Sequence, residues 1–535
     1  MRHAVLLLLF SALLLLDSPA AATQIVVLDD GVELEDVSAI VRDVGDFRFA
    51  VLPDDVIVPQ LEGMRRLQLR DGEDAFLVDV HSASAERSVF TSSRRLVEGK
   101  NFSIVAADAA QTRVLDTLSV CRERLIWIEP RDVDPRTALP GLARVDAEVK
   151  NEIVDGIVSS RYAQIVRELS GNIVFWLNDN LESTDNRYTH TAGTGDDIDI
   201  AAAYLQDRFE AAGYDVIRQP FQVNATTTDN IIAVKTGTTF PDEIITVGAH
   251  YDAISEDPSL RAPGAEDNGS GTAAVLQLAE VFADYETERT IHFVCFSGEE
   301  QGLYGSQYYV SQLGANGWNV INALTMDMIS AWESNYKVII EGQTPWESLM
   351  TVFEQNVVEY AQIASRKDYF SFGSDHVPFQ DAGIPAFLAI DWDYGTYDHY
   401  HRTTDRWQYL DASLGHRITQ AMAGALADLT NPSRVATDAP ATRSAISLAP
   451  NFPNPFNPRT VIRFALDRES EISLRVYDLA GRHVQTIVDE TLGAGPHLAQ
   501  WDGTDLQGRE VASGTYLLRL MRGEDVVSRR MSLVR

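Results

Sequence analysis

The stretch that decides the fold is IHFVCFSGEE at residues 291–300, an apolar run that ends in two adjacent carboxylates. Three further apolar runs also lead into a histidine or an aspartate. They are IITVGA at 244–249 before His250, ALTM at 323–326 before Asp327, and PAFLAI at 385–390, which leads to Asp391 and later His401. Apolar runs of this length, bounded by polar or turn residues, predict buried strands.

Helical segments separate these strands. The apolar positions between Ile198 and Gly213 follow helical spacing and end at the glycine, and a second helix is predicted at about 271–284. Alternating strands and helices predict an α/β fold, with a mainly parallel mixed sheet flanked by helices. In open sheets of this kind the carboxyl ends of the strands line the ligand crevice. We therefore expect the polar residues at the strand ends to converge.

The converging residues have the composition of a metal site. Crowded carboxylates without a nearby lysine repel one another, and a pair of divalent cations resolves that repulsion. Imidazole and carboxylate ligands without thiolate suit catalytic zinc, although cobalt and manganese also fit. Two ions need a shared carboxylate, and Asp267 lies in a glycine-rich loop, PGAEDNGSG at 263–271, that can place one between them. The candidate ligands include His250, Asp267, Asp327, His401 and one residue of the Glu299-Glu300 pair.

The Glu299-Glu300 pair indicates hydrolytic chemistry. Neighbouring side chains at a strand end diverge, so one carboxylate can bind metal while the other takes a proton from the metal-bound water. His376 and His399 are rival histidine ligands. We prefer His401, because an aspartate four residues later, Asp405, is placed to orient its second nitrogen.

A third histidine is assigned to the core. His292 lies in the middle of a predicted strand and is expected to pack inside the fold.

These segments resemble the bacterial leucyl aminopeptidase and aminopeptidase Y family of co-catalytic zinc metallopeptidases, over about residues 150–430. The matching pieces occur in the family's order. They are GAHYD at 248–252, APGAEDNGSG at 262–271, FSGEEQGLYGS at 296–306, MDMI at 326–329, SDHVPF at 374–379 and YHRTTD at 400–405.

The resemblance implies two Zn²⁺ per catalytic domain and a role for each residue. One zinc would be held by His250 and Asp327, the other by Glu300 and His401, with Asp267 bridging. Glu299 would be the general base, taking the proton of the zinc-bound bridging water and passing it to the leaving nitrogen. Asp252 would support His250 from behind.

Other consequences of the resemblance concern the substrate. The family removes N-terminal residues from peptides, so the expected partners are peptides with a free N-terminus. Its members steady the oxyanion with a tyrosine near the Ser-Asp-His segment; here Tyr369 and Ser371 both fall near that position, and the donor stays unassigned. The disulfide usual in that region has no counterpart.

Outside the catalytic segment, the chain divides by composition. Residues 1–22 combine Arg2, His3, an apolar run and small residues, which predicts a cleaved signal peptide and a secreted or cell-surface protein. Residues 23–150 alternate short apolar runs with turns and predict a β-rich accessory or pro-domain. The zinc aminopeptidase domain is assigned to 151–430, a linker to 431–450 and a small β-sandwich to 451–535.

The last segment carries a second resemblance. NFPNPFNP at 451–458, VYDLAGR at 476–482, WDG at 501–503 and GTY at 514–516 look like the Ig-like tail domains related to the flagellar hook-capping protein. Such tails often serve as type IX secretion sorting signals, which implies secretion machinery as a partner. A passive β-sandwich appendage is the alternative.

Composition excludes several partners. The 535 residues carry a formal charge of −34, which disfavours nucleic acid and anionic membranes. After the signal no segment is apolar enough to span a membrane. Cys121 and Cys295 fall in different predicted domains and are expected to be unpaired.

Three functional alternatives remain open at this point. A carboxypeptidase or dipeptidase uses comparable chemistry, a glutaminyl cyclase uses a related fold with one zinc, and a non-catalytic binding module needs ligand losses that are not visible here.

Overall fold

A computed structural model describes most of the chain between residues 145 and 435 and the strands on either side. The described residues are 23–28, 40–43, 48–53, 64–69, 73–79, 93–98, 102–108, 110–112, 122–124, 145–177, 180–191, 197–331, 336–369, 373–392, 394–435, 446–448, 451, 456–466, 468, 470–478, 482–493, 495–523 and 525–534. The chain divides into two compact units, residues 1–175 with 182–434, and residues 176–181 with 435–535.

The N-terminal part of the first unit is β-rich, as predicted. Its two antiparallel sheets have the strand orders β2-β3-β1-β4 and β6-β7-β5-β8. Apolar residues of both sheets, including Phe49 and Leu77, share one core. The apolar run LIWI at 125–128, which also predicts a strand, lies outside the described residues. The strands are β1 (Thr23–Leu28), β2 (Ile40–Asp43), β3 (Arg48–Pro53), β4 (Met64–Leu67), β5 (Glu73–Asp79), β6 (Arg94–Glu98), β7 (Phe102–Asp108) and β8 (Arg122–Arg124).

Two short strand pairs form separate two-stranded sheets. β9 (Phe175–Leu177) pairs with β10 (Asn180–Glu182), and β14 (Tyr285–Glu286) pairs with β20 (Ser433–Arg434).

The segment 151–430, assigned above to the zinc aminopeptidase domain, contains an eight-stranded mixed sheet. This sheet confirms the predicted fold class. Its strand order is β11-β12-β15-β13-β16-β19-β17-β18, and the four adjacent strands β15, β13, β16 and β19 run parallel. The strands are β11 (Asp215–Val223), β12 (Thr226–Lys235), β13 (Phe240–His250), β15 (Arg289–Phe296), β16 (Asn319–Asp327), β17 (Lys337–Gly342), β18 (Ala364–Asp368) and β19 (Ala386–Asp391).

Helices cover this sheet. The helix Gly271–Phe282 (α4) is almost entirely buried and packs against β13, β15 and β16. Such burial is possible because the helix has almost no charged residue along its length. Gly213, at φ +94°, follows the end of α3 as expected. The helices are α1 (Ala147–Asp155), α2 (Ser159–Leu169), α3 (Asp197–Ala211), α4 (Gly271–Phe282), α5 (Tyr304–Ser311), α6 (Leu313–Asn316), α7 (Glu347–Asn356), α8 (Val377–Asp381) and α9 (Ala412–Thr430).

Two residues of the sheet match their predicted environments. His292 is buried in β15, where its Nδ1 lies 2.8 Å from the Tyr309 hydroxyl and its ring meets Trp318 edge-on. Cys295 carries a buried free thiol, whereas Cys121 lies outside the described residues. Within the described part of the chain, no helix is both long and apolar enough to cross a membrane.

The second unit is a β-sandwich, as predicted for the C-terminal part of the chain, although its first strand, Ile446–Leu448, lies in the segment predicted to be a linker. Its sheets have the orders β21-β22-β25 and β24-β23-β26-β27, and their inner faces meet around Trp501 and Leu518. The strands are β21 (Ile446–Leu448), β22 (Thr460–Leu466), β23 (Ser470–Asp478), β24 (His483–Leu492), β25 (Gly495–Trp501), β26 (Gly514–Arg522) and β27 (Asp525–Leu533).

Candidate metal centre

The site lies at the carboxyl ends of the parallel strands. His250 is the last residue of β13 and Asp327 the last residue of β16. Glu300 follows β15 by four residues, and Asp267 lies in the loop between β13 and α4. His401 comes from the loop after β19 and has φ +52°. The parallel arrangement brings these five side chains together, each at most 7% exposed.

Asp267 lies between the two histidines. Its Oδ1 is 3.3 Å from Nε2 of His250, and its Oδ2 is 3.0 Å from Nε2 of His401. Asp327 Oδ1 is 3.4 Å from the same His250 nitrogen, and Glu300 Oε2 is 3.1 Å from the same His401 nitrogen. The site therefore has two halves, each with one histidine and one carboxylate of its own, that share a single aspartate.

The spacing and the chemistry of these donors fit two zinc ions. Bonds of about 2.05 Å at a tetrahedral ion place its ligand atoms about 3.3 Å apart, close to the separations observed. Nε2 of His250 and Oδ1 of Asp327 are buried and have no hydrogen-bond partner among the described residues. Buried polar atoms without partners are costly unless something binds them. The donor set accordingly matches a pair of cations.

Glu299 is the second carboxylate of the pair and lies beside the His250 half of the site. Its Oε2 is 3.9 Å from Nε2 of His250. By spacing alone, Glu299 forms a metal-ligand group with His250 and Asp327, and Glu300 forms another with His250 and Asp267. Glu299 thus stands either as a base next to the ions or as a further ligand.

Protonation in this cluster follows from burial and crowding. Burial alone lowers the pKa of His401, but Glu300 and Asp267 outweigh it and raise that pKa to about 10. The pKa of His250 is likewise raised against the effect of burial by neighbouring carboxylates. Burial raises the pKa of Glu299 well above its usual range and the pKa of Glu300 to about 7. The cluster therefore retains protons wherever no cation replaces them.

Asp252 supports both sides of this cluster. Nδ1 of His250 lies 3.1 Å from the Asp252 backbone oxygen and 3.6 Å from its Oδ1. The Asp252 carboxylate accepts the backbone N–H groups of Glu299 and Glu300, both at 3.3 Å, and the hydroxyl of Thr189 at 3.0 Å. It fixes the Glu-Glu turn as well as the histidine.

The role predicted for Asp405 is wrong. Its carboxylate accepts the backbone N–H groups of Glu266 and Asp267, both at 3.0 Å, and the Tyr397 hydroxyl at 2.8 Å. Nδ1 of His401 has no hydrogen-bond partner among the described residues. Backbone donors of the Asp267 loop take up the carboxylate instead, because that loop folds over it.

The rival histidines lie elsewhere. His399 stacks on Tyr409 with ring centroids 3.7 Å apart, and its Nδ1 is 2.9 Å from the Thr404 hydroxyl. His376 is fully buried, and its Nε2 is 3.6 Å from Glu341 Oε1.

Tyr369 and Ser371 are the two candidate oxyanion donors. The Tyr369 hydroxyl donates to Glu347 at 3.1 Å on an exposed surface, and Ser371 lies outside the described residues.

Two contributors were missed from the sequence. The Ser374 hydroxyl donates to Asp327 Oδ2 at 2.9 Å, and the Ile254 backbone N–H donates to Glu300 Oε1 at 3.1 Å. Serine is common in loops, and a backbone donor has no sequence signal. In the sequence the Ser-Asp-His segment offers its histidine as a candidate ligand, whereas in the structure its serine makes the contact.

Comparison with known proteins places this site in context. Residues 230–426 match the pattern of Peptidase family M28, and residues 458–523 match the FlgD Ig-like domain. Aminopeptidase YwaD of Bacillus subtilis (strain 168) is 31% identical over 226 residues, 39% of this chain and 47% of that protein. A probable zinc metalloprotease of Phaeosphaeria nodorum is 25% identical over 417 residues, which cover 62% of this chain and 79% of that protein.

A solved structure shares the fold. The LapA aminopeptidase of Legionella pneumophila superposes with a TM-score of 0.51 at 18% identity, over 67% of this chain and 98% of that one. The chain spans about half the length of several curated relatives, such as 47% of YwaD and 54% of leupeptin-inactivating enzyme 1 of Streptomyces exfoliatus. The segment 230–426 is thus similar to zinc metallopeptidases.

Proposed function

We propose that the chain is a zinc-dependent aminopeptidase that hydrolyses the N-terminal peptide bond of peptides. The observation that carries this proposal is the position of Asp267, whose two oxygens face Nε2 of His250 and Nε2 of His401. An aspartate held in this way is what two neighbouring cations require. The similarity of residues 230–426 to Peptidase family M28 supports the same reading.

Each ion would have its own ligands in addition to Asp267. His250 and Asp327 would hold one Zn²⁺, and Glu300 and His401 would hold the other. When bound, the pair supplies Lewis-acid polarisation of the scissile carbonyl and lowers the pKa of the attacking water.

Glu299 would act as the general base. Its carboxylate lies beside the His250 half of the site and is mostly withdrawn from solvent, where burial raises its pKa. A carboxylate with a raised pKa holds a proton long enough to deliver it to the departing nitrogen. Asp252 holds the backbone of the Glu-Glu turn and so fixes the direction of both side chains.

We also propose that the protein acts outside the cytoplasm. The charge and apolar pattern of residues 1–22 supports a cleaved signal, and the similarity of residues 458–523 to the FlgD Ig-like domain is compatible with a C-terminal sorting role. Peptides with a free N-terminus are the proposed substrates, since YwaD is itself an aminopeptidase.

The test is hydrolysis of aminoacyl-nitroanilides by the purified full chain, with zinc and after chelation. N-acetylated versions of the same substrates are the control. We expect turnover that requires both zinc and a free amine, together with two zinc ions per chain. Equal cleavage of acetylated substrates would refute the aminopeptidase assignment. Cyclisation of N-terminal glutamine without hydrolysis would indicate a glutaminyl cyclase instead.

A further inference from the structure

Arg187 is a buried cation close to the site with an unusual set of partners. Its side chain is fully buried, and its hydrogen bonds to described residues all go to backbone carbonyls. Buried arginines are normally paired with an acid. Within the part of the chain that the structure describes, the guanidinium of Arg187 instead donates to four backbone carbonyls, so the charge at this position has another role.

Three of the four carbonyl partners belong to the two segments that carry candidate ligands. Nε donates to the Tyr251 oxygen at 2.6 Å, directly after His250. Nη2 donates to the Gly264 oxygen at 2.7 Å and Nη1 to the Pro263 oxygen, three and four residues before Asp267. One planar group therefore fixes the distance between the strand end of His250 and the loop of the shared aspartate.

The backbone of Arg187 is held by the same two segments. Its N–H donates to the Ala262 oxygen and its carbonyl accepts from the Ala253 N–H, both at 3.0 Å. Nη1 also donates to Leu169, the last residue of α2, where helix carbonyls lack partners and the helix dipole favours a cation. The side chain is thus fixed from three directions.

Electrostatics gives the charge a further role. The carboxylates that act most strongly on Arg187 are Asp405, Asp252, Asp267 and Glu300, all at or next to the proposed metal centre. Burial lowers the pKa of Arg187 to about 10, so the group stays charged at neutral pH. A fixed cation behind the acidic cluster reduces the mutual repulsion of its members.

We infer that Arg187 is a positioning residue for the metal centre. It holds the His250 and Asp267 segments at the separation that two zinc ions need. This inference rests on the proposed function, because it presupposes zinc binding. Residues behind a metal site typically change metal affinity by about 10–100-fold when altered. Lysine keeps the charge but loses the planar fork, so Arg187→Lys tests geometry separately from charge.

The experiment compares zinc affinity, by chelator competition, for the wild-type chain, Arg187→Lys and Arg289→Lys. Arg289 is the matched control: it is buried, donates to Glu243 and to the Leu429 carbonyl, and begins β15 at the opposite end of the sheet. We expect Arg187→Lys to weaken zinc binding at least tenfold. It should also alter the visible spectrum of the cobalt-loaded protein. Arg289→Lys should lose stability alone.

Several outcomes overturn the inference. Zinc affinity within twofold of wild type in Arg187→Lys would do so, as would an equal loss in Arg289→Lys. If Arg187→Lys does not fold, Arg187→Gln is measured in the same way; failure of both to fold, with and without zinc, would assign Arg187 a purely structural role. A wild-type chain that binds no zinc would refute the proposed function itself.

Discussion

The Asp405 carboxylate accepts a hydrogen bond from the backbone N–H of Asp267 at 3.0 Å, so the His401 loop holds the loop of the shared aspartate. Asp405→Asn should weaken this hold, because one acceptor oxygen becomes a donor that faces N–H groups. We expect kcat/KM to fall about tenfold, with weaker zinc binding. Steady-state kinetics and chelator competition measure both.

A matched control for this change is Asp428→Asn. Asp428 accepts from Lys150 and Asn356 and lies in α9, away from the site. That variant should lose some stability and keep its zinc. Equal zinc loss in the two variants would contradict a specific role for Asp405.

Asp267→Asn should disrupt the metal pair. An amide offers one neutral oxygen in place of two charged ones, so it cannot serve both His250 and His401. We expect the zinc content to fall from two ions per chain to one or fewer, measured by atomic emission on the dialysed protein. Glu243→Gln, which breaks an ion pair with Arg289, is the control and should retain both ions. Two ions in Asp267→Asn would rule out its bridging role.

Glu299→Gln separates the two readings of that residue. As a base, Glu299 contributes about 10²–10⁴-fold to kcat, and its amide should lose that factor while both zinc ions stay bound. As a ligand, it should lose an ion too. Turnover and zinc content measured on the same sample decide between these outcomes, and unchanged turnover would exclude both.

His292 should make stability depend on pH. Burial lowers its pKa from the usual 6.5 to about 4, so the unfolded chain binds its proton more readily than the folded chain between these values. Stability is fully present above pH 6.5 and is lost as the pH falls toward 4, by up to about 1.4 kcal/mol per pH unit. Urea unfolding in the presence of a chelator should show a shallower dependence for His292→Gln.

The control for this prediction is Tyr309→Phe, which removes the hydroxyl beside His292 but leaves the ring buried. Because burial causes the pKa shift, this variant should keep the wild-type pH dependence. A slope that flattened equally in Tyr309→Phe would attribute the effect to the hydrogen bond.

The sequence predicts much of the convergence of these side chains, because the candidate ligands follow strands. His250 and Asp327 end apolar runs, and parallel pairing brings such ends together without knowledge of side-chain detail. The structure also places Asp267 between His250 and His401, where its glycine-rich loop was expected to bring it. The predicted strands that fall on described residues, and the helix at 271–284, agree with the structure to within a few residues.

Contacts set by loop folding were not predictable. In the sequence, Asp405 favours His401 over His399, because it is spaced to orient the second nitrogen of His401. In the structure the Asp405 carboxylate instead accepts backbone N–H groups of a loop more than a hundred residues earlier. Arg187 gave no signal, since a lone arginine in a polar stretch looks like a surface residue, and its partners are carbonyls that every residue possesses.

Two of the candidate ligands end strands and three lie in the segments that follow strands, so the chain from His250 to His401 must be in place before all of them meet. A chain in which residues 250–401 are not yet folded together would therefore lack the complete set of imidazole and carboxylate donors for an ion. Metal binding and folding are coupled in such a case. If the site binds zinc as proposed, the compartment in which this chain completes its folding must also supply the metal.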